Sequence, residues 1–161
     1  MDFRTGTGLD FHRLIEAPER PLMMGGVEIP GTLSLEGHSD ADVLLHALSD
    51  VILGSVGLAD IGTFFSDQDQ KNKNLDSSLI LLDALRRMKD AGYRLSNVDV
   101  TVIGEKPRLS PHRERVLARL AELCGIEPGR IGLKATTTEK MGALGRSEGV
   151  GCLASVLVVK E

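Results

Sequence analysis

The chain has 161 residues, a net charge of −4, 18 glycines and two cysteines, Cys124 and Cys152, that form no CxxC pair. That length carries one core rather than two, and an acidic balance argues against nucleic acid as a partner. No disulfide framework or thiolate knuckle is expected, and with no signal-type leader and no apolar run beyond the likes of LILL and VLVV, the reading is a cytoplasmic protein without membrane contact.

Residues 3–12 read as a strand. Within it GLDFH, Gly8 to His12, sets Asp10 and His12 on one side and Leu9 and Phe11 on the other, the apolar pair toward a core. PLMMGGVEIPG, residues 21–31, reads as a hairpin turning at Gly25-Gly26. From Ser39 the period lengthens: a helix is predicted with Ser39 as N-cap, Leu44, Leu45, Leu48, Val51 and Ile52 on one stripe, and Gly54 or Gly57 as the stop. The polar stretch from ADIGTFFSDQDQ to KNKNL is long enough for a functional flap. DSSLILLDALRRMKDAG is a second helix, capped at Asp76 or Ser77 and ended by Gly92. NVDVTVIGE, residues 97–105, alternates as a strand, and Ser110-Pro111 opens a third helix that stops at Gly125. IGLKATTTE and VGCLASVLVVK close the chain as strands, the second with Cys152, Ala154, Val156 and Val158 on one face and Leu153, Ser155, Leu157 and Val159 on the other. This mixture predicts an α+β fold, a single-layer mixed β-sheet covered by about three helices, in one domain over residues 1–161.

An Asp/His pair on a strand is ordinarily a structural hydrogen bond. His46, on the first predicted helix, supplies a third group. Asp10, His12 and His46 form a two-imidazole, one-carboxylate set suited to Zn²⁺ with its fourth position open, and an open position points to chemistry rather than to a structural staple. Asp42 and Asp50, four residues to either side of His46, are candidates to orient its second nitrogen. His38 and Ser39 precede the helix, where free N–H groups favour a phosphate; simple capping is the plainer alternative. KATTTEK, residues 134–140, sets three hydroxyls beside Glu139, a cluster able to hold phosphate oxygens and a hard cation such as Mg²⁺, or else an ordinary strand end.

Taken in order, GLDFH, GHSDADVLLHALSD, LADIG, NVDVTVI, KPRLSPH, KATTTEKMG and GRSEG resemble the successive motifs of the 2-C-methyl-D-erythritol 2,4-cyclodiphosphate synthase family over nearly the whole chain. The resemblance implies a compact homotrimer of the non-mevalonate isoprenoid precursor pathway, with active sites at subunit interfaces. Its reaction would be cyclisation of 4-diphosphocytidyl-2-C-methyl-D-erythritol 2-phosphate to 2-C-methyl-D-erythritol 2,4-cyclodiphosphate with release of CMP. By motif, Asp10, His12 and His46 match zinc ligands, and Asp10, Phe11 and His12 also fall in the substrate-contacting strand. His38 and Ser39 match phosphate-loop residues, and Glu139 the carboxylate that meets a second divalent cation, Mg²⁺ or Mn²⁺. Thr137 and His38 match the pair that steadies the transition state.

The same resemblance assigns Asp60, Ile61 and Gly62 to the methylerythritol group and Phe65, Ser66, Asp67, Gln68 and Asp69 to a substrate-covering flap. Gly104, Glu105, Lys106, Pro107, Arg108, Leu109 and Ser110, with Ala135, Thr136 and Thr137, match a cytidine pocket lent by a neighbouring subunit; Thr138, Ala143 and Arg146 complete the set. Arg146 matches an arginine that can hold an isoprenoid diphosphate on the trimer axis, against the plainer reading that it pairs with Glu148 at the surface. Gln68 and Gln70 replace a Thr and a Pro common in the family, and Arg108 a Lys. Two other functions use the same residues: a zinc-dependent phosphohydrolase acting on a nucleotide-linked substrate, whose open metal position activates water, and a non-catalytic nucleotide-binding trimer.

Overall fold

The first strand, β1 (Phe3–Glu16), runs past its predicted end and organises the rest of the computed structural model, which describes residues 2–161. The GlyGly hairpin forms as expected from β2 (Leu22–Met24) and β3 (Val27–Ile29), with Gly25 at φ +62° and Gly26 at φ +74°, a turn that L side chains resist. β4 (Leu33–Leu35) follows, a strand of three residues, too short for alternation to reveal it. Then come α1 (Val43–Ser55), α2 (Ile61–Phe64), α3 (Ser77–Asp90), β5 (Tyr93–Ile103), α4 (Arg113–Cys124), β6 (Ile131–Thr136), α5 (Gly142–Gly145) and β7 (Gly149–Lys160). Five strands make one sheet in the order β4-β1-β7-β5-β6, antiparallel except for the parallel β5–β6 pair. The sheet is therefore mixed and mostly antiparallel, and three of the five helices are long.

α1 lies directly on β1 because two glycines let it. A Cβ at Gly8 would overlap the carbonyl oxygen of Ala47, and one at Gly6 would come within 2.7 Å of Val51 O. The helix is buried almost all round rather than along one stripe, since the β2–β3 hairpin and α3 cover the side that the sheet does not. Its cap also differs from expectation. Asp42, not Ser39, is the N-cap: its carboxylate accepts from Leu45 N (3.0 Å), Gly25 N (2.9 Å) and Gly26 N (2.7 Å), so one side chain ends the helix and fixes the hairpin turn. Three backbone donors offset the cost of a carboxylate with no exposure to water.

The two faces of the sheet are unequal. Under the helices lie Val98, Val100, Ala154, Val156 and Val158 with Leu44, Leu48, Leu120 and Leu133. Among the described residues no helix covers the other face, and it carries Leu9 at 52 % and Phe11 at 53 % exposure, with Leu153 at 41 %. This reverses the expectation for GLDFH: the polar pair points under α1, and the apolar pair points away from the core. The strand predicted over 97–105 starts earlier and stops before Gly104, and the third helix begins with a 3₁₀ turn at Ser110–His112 before α4 proper.

Candidate metal centre and adjoining loops

β1 carries Asp10 and His12 beneath the first turn of α1, where His46 descends to meet them. His12 Nε2 lies 2.9 Å and His46 Nδ1 3.3 Å from Asp10 Oδ2, and the two nitrogens are 3.0 Å apart. A tetrahedral cation with bonds near 2.0–2.1 Å would separate its ligands by ~3.3 Å, so the three atoms are spaced as one ion requires. The proton inventory agrees. His12 Nδ1 is 2.8 Å from the carbonyl of Glu36, which only accepts, so Nδ1 holds the proton and the Nε2 lone pair faces Asp10. Asp10 Oδ2 is buried and faces the two imidazole nitrogens. These residues form a candidate divalent-metal site.

Without a cation, protons relieve the same crowding. Burial pushes the Asp10 carboxyl up, but hydrogen bonds and charge from His12 and His46 outweigh it and hold it down at about 2. Burial pushes His12 down, and the Asp10 carboxylate more than reverses that, leaving it above the usual histidine value.

Neither acid proposed to orient His46 does so. Asp42 is committed to its cap, and Asp50 accepts from Ile61 N at 2.8 Å. The ring points sideways out of α1, so its Nε2 reaches across to Ser77 Oγ at 2.8 Å, at the start of α3, and to Ser39 Oγ at 3.1 Å. In the sequence Ser77 stands out only as an alternative cap of the second helix, a place that Asp76 takes, and not as a site residue.

The centre opens into a cleft of about 240 Å³ lined by Asp10, His12, His38, Ser39, Ile61, Gly62, Phe65 and Asp67 among others. Arg20, unnoticed in the sequence, grips the His38 loop from behind, donating to Gly37 O (3.0 Å) and Ser39 O (2.7 Å). Ser39 Oγ accepts from Ala41 N, 3.1 Å away. His38 Nε2 approaches Asp69 O at 3.4 Å, bringing the flap over the loop. Asp60 caps α2 through Thr63 N (3.0 Å) and, with Ser66, Gln68 and Asp69, does not line the cleft; Phe11 faces the opposite side of the sheet.

The second predicted cluster stands apart. Gly104 N donates to Thr136 O (3.0 Å) and Lys140 N to Glu105 Oε1 (3.0 Å), which knit the 104–110 loop to the 135–140 turn. Ala135, Thr136, Thr137, Glu139 and Arg108 are exposed, whereas Leu109 turns into the core. By register, His12 pairs with Val150, while Gly151 pairs with Ile103 and Ile103 with Thr136. The metal centre and the threonine turn thus share one end of the sheet but lie three strand spacings apart, ~14 Å. Ala143 and Arg146, on and after α5, are exposed, and Arg146 Nε bonds Glu148 Oε1 at 2.6 Å.

Fold and site together define a class: an α+β protein with a two-histidine, one-carboxylate centre beneath a helix and the His38–Ser39 loop beside it. Residues 3–159 match the model of the YgbB family, and the chain belongs to that family. It is 52 % identical over 159 residues, 99 % of each chain, to a protein of Leptospira borgpetersenii serovar Hardjo-bovis named 2-C-methyl-D-erythritol 2,4-cyclodiphosphate synthase. A protein of the same name from Parabacteroides distasonis is 46 % identical, over 98 % of this chain and 97 % of that one. Among solved structures, the bifunctional IspDF of Campylobacter jejuni superposes with a TM-score of 0.94 at 40 % identity; 99 % of this chain is covered, and it spans 43 % of that longer protein. IspF of Plasmodium falciparum in complex with CDP superposes at 0.86 with 31 % identity, over 99 % of this chain and 97 % of that one. Among the described residues no helix is long and apolar enough to cross a membrane.

Proposed function

We propose that this chain, acting as one catalytic domain in a cytoplasmic homotrimer, converts 4-diphosphocytidyl-2-C-methyl-D-erythritol 2-phosphate to 2-C-methyl-D-erythritol 2,4-cyclodiphosphate and CMP in the non-mevalonate isoprenoid precursor pathway. The observation that carries the reading is the division of the site. A cleft of about 240 Å³ is too small for a nucleotide-linked substrate, and the Thr136–Glu139 turn that would complete it lies across the sheet. A neighbouring subunit placed through the uncovered Leu9–Phe11–Leu153 face brings a second copy of that turn to the cleft. The CDP complex of the Plasmodium relative and the names of the curated relatives support the choice of substrate.

In this reading Asp10, His12 and His46 hold Zn²⁺ and Glu139 a second divalent cation, Mg²⁺ or Mn²⁺; together, when bound, they polarise the diphosphate and neutralise its charge. The substrate supplies its own nucleophile. An oxygen of the 2-phosphate bonds to the β-phosphorus, the bond from that phosphorus to the α–β bridging oxygen breaks, and CMP leaves with the electron pair. The chain's task is to fold a polyanion on itself. Ser39 and His38 offer donors to phosphate oxygens from a loop that Arg20 keeps in place and makes more positive. Ile61, Gly62 and Phe65 wall the cleft against water. Thr137, from the neighbouring turn, faces the transferring group together with His38.

A zinc phosphohydrolase would use the same three ligands to activate water. Product analysis by ³¹P NMR decides between them. A cyclic diphosphate with equimolar CMP is expected; release of inorganic phosphate, or no turnover at all, overturns the reading.

A further inference from the structure

Asp40, Ser77 and His46 form a hydrogen-bonded chain in which each proton can be placed. Ser77 is the first residue of α3, and its backbone N–H, one of the donors a helix start leaves free, goes to Asp40 Oδ2 at 3.0 Å. The Ser77 hydroxyl bonds the other oxygen, Asp40 Oδ1. A carboxylate only accepts, so the Ser77 proton points to Asp40. Ser77 Oγ is left with lone pairs for His46 Nε2, 2.8 Å away, and that nitrogen must hold the ring's proton. The His46 Nδ1 lone pair then faces Asp10 Oδ2 and His12 Nε2.

Ser39 Oγ, 3.1 Å from the same Nε2, cannot replace this arrangement. It sits on the half-buried His38 loop, whereas Ser77 has no exposure to solvent. With two acceptors on one N–H, Ser39 is free to turn to a phosphate while Ser77 keeps the ring in place. Asp40 reaches further. Its N–H bonds Leu75 O (3.1 Å), and His38 O accepts from Asn74 N (2.8 Å), so the same segment fastens the returning end of the flap.

We propose that Ser77 and Asp40 are positioning residues for metal capture, fixing His46 as the tautomer whose Nδ1 is the ligand and joining its orientation to the anchorage of the flap. The proposal rests on the metal reading of Asp10, His12 and His46, and one of its readouts does not depend on metal. In metal-free protein at mildly alkaline pH, long-range ¹H–¹⁵N NMR should find His46 protonated at Nε2 alone. Ser77→Ala should mix the two tautomers and weaken zinc, measured by competition with a chromophoric chelator, by about 10- to 100-fold. Ser78→Ala removes a neighbouring first-turn hydroxyl that does not touch His46, and should leave tautomer and affinity unchanged. Asp40→Asn, which keeps the side chain's shape, should give an intermediate loss and stands in if Ser77→Ala does not fold. If wild type binds no zinc, the metal reading fails and the tautomer still tests the relay. If wild type binds zinc, and Ser77→Ala and Asp40→Asn match it in affinity and in His46 protonation, the positioning role is wrong.

Discussion

Around His46 the chain finishes what it starts, and around Glu139 it does not. Asp42 and Ser77 are fully buried and His46 is 7 % exposed, each bonded to a group from another element: the hairpin turn, the His38 loop or the start of α3. Glu139 and its neighbours are exposed and bond mainly one another, Thr137 Oγ1 to Glu139 Oε1 at 3.3 Å and Glu139 N to Thr137 Oγ1 at 3.2 Å. Glu139 and Lys140 hold left-handed backbone, φ +51° and +63°, without being glycine, as buried Ala41 does at φ +57° beside the Asp42 cap, so exposure rather than backbone conformation sets the two regions apart. Such conformations are retained where surroundings or function require them. The centre at His46 is enclosed by the chain's own elements; the Glu139 turn is exposed, and on the proposed function it meets the cleft of a neighbouring subunit.

The largest expected effect tests the finished half. His46→Ala removes one of the three proposed zinc ligands, and zinc content by metal analysis should fall to background with turnover lost, while circular dichroism stays that of the folded protein. Retention of one zinc per chain with near-normal rates would show that the centre lies elsewhere. Glu139→Gln tests the other half. It removes one charge and little volume, so zinc should remain while turnover drops by about 100-fold or more and its dependence on Mg²⁺ or Mn²⁺ weakens. An unchanged rate would take Glu139 out of the reaction.

Leu9→Lys separates the halves without touching either. Leu9 pairs across β7 with Leu153 on the uncovered face, so a lysine there costs the isolated chain little but places like charges together wherever that face meets its copies. Sedimentation should give smaller species that still bind zinc and turn over slowly, with activity recovering as protein concentration rises. A variant of wild-type mass and rate would mean that this face is not the one that assembles.

Much of this was legible beforehand because it follows local rules. The GlyGly hairpin, the cap of α3 at Asp76, the stop at Gly125 and the Asp10/His12 alternation each depend on a few adjacent residues. His46 joins them by helical spacing and a shared polar character. What escaped was set by contacts distant in sequence. Ser77 reaches His46 across 31 positions and Arg20 reaches Ser39 across 19, and neither has a periodic signature. The inverted role of Leu9 and Phe11 has a similar cause: alternation says that two faces differ, but which one α1 covers was decided by glycines at positions 6 and 8 on the polar side.

The smallest effect concerns Arg146. Its guanidinium lies against Glu148 Oε1, and both side chains are more than half or half exposed, at 62 % and 50 %. Exposed pairs of this kind contribute little, so Glu148 does not hold the arginine against a stronger anion. On β7, Leu153, Ser155 and Leu157 point to the uncovered face together with Leu9 and Phe11, so the passage that this face would enclose is apolar along Leu9, Phe11 and Leu153 and polar at Ser155, Asp99 and Thr101. The buried face of the strand, with Cys152, Ala154, Val156 and Val158, is already filled by the core. Three copies of Arg146 brought together at the mouth of such a passage would repel unless an anion joined them, and a diphosphate with an isoprenoid tail meets both demands. Geranyl diphosphate is accordingly expected to raise the melting temperature of the wild-type protein by a few degrees, through binding to the native assembly. Arg146→Ala should lose most of that shift while keeping its zinc and its turnover, since the arginine lies outside the cleft. Equal shifts in the two proteins would remove Arg146 as the anchor, and inorganic diphosphate tested alongside shows whether the apolar tail contributes to the binding.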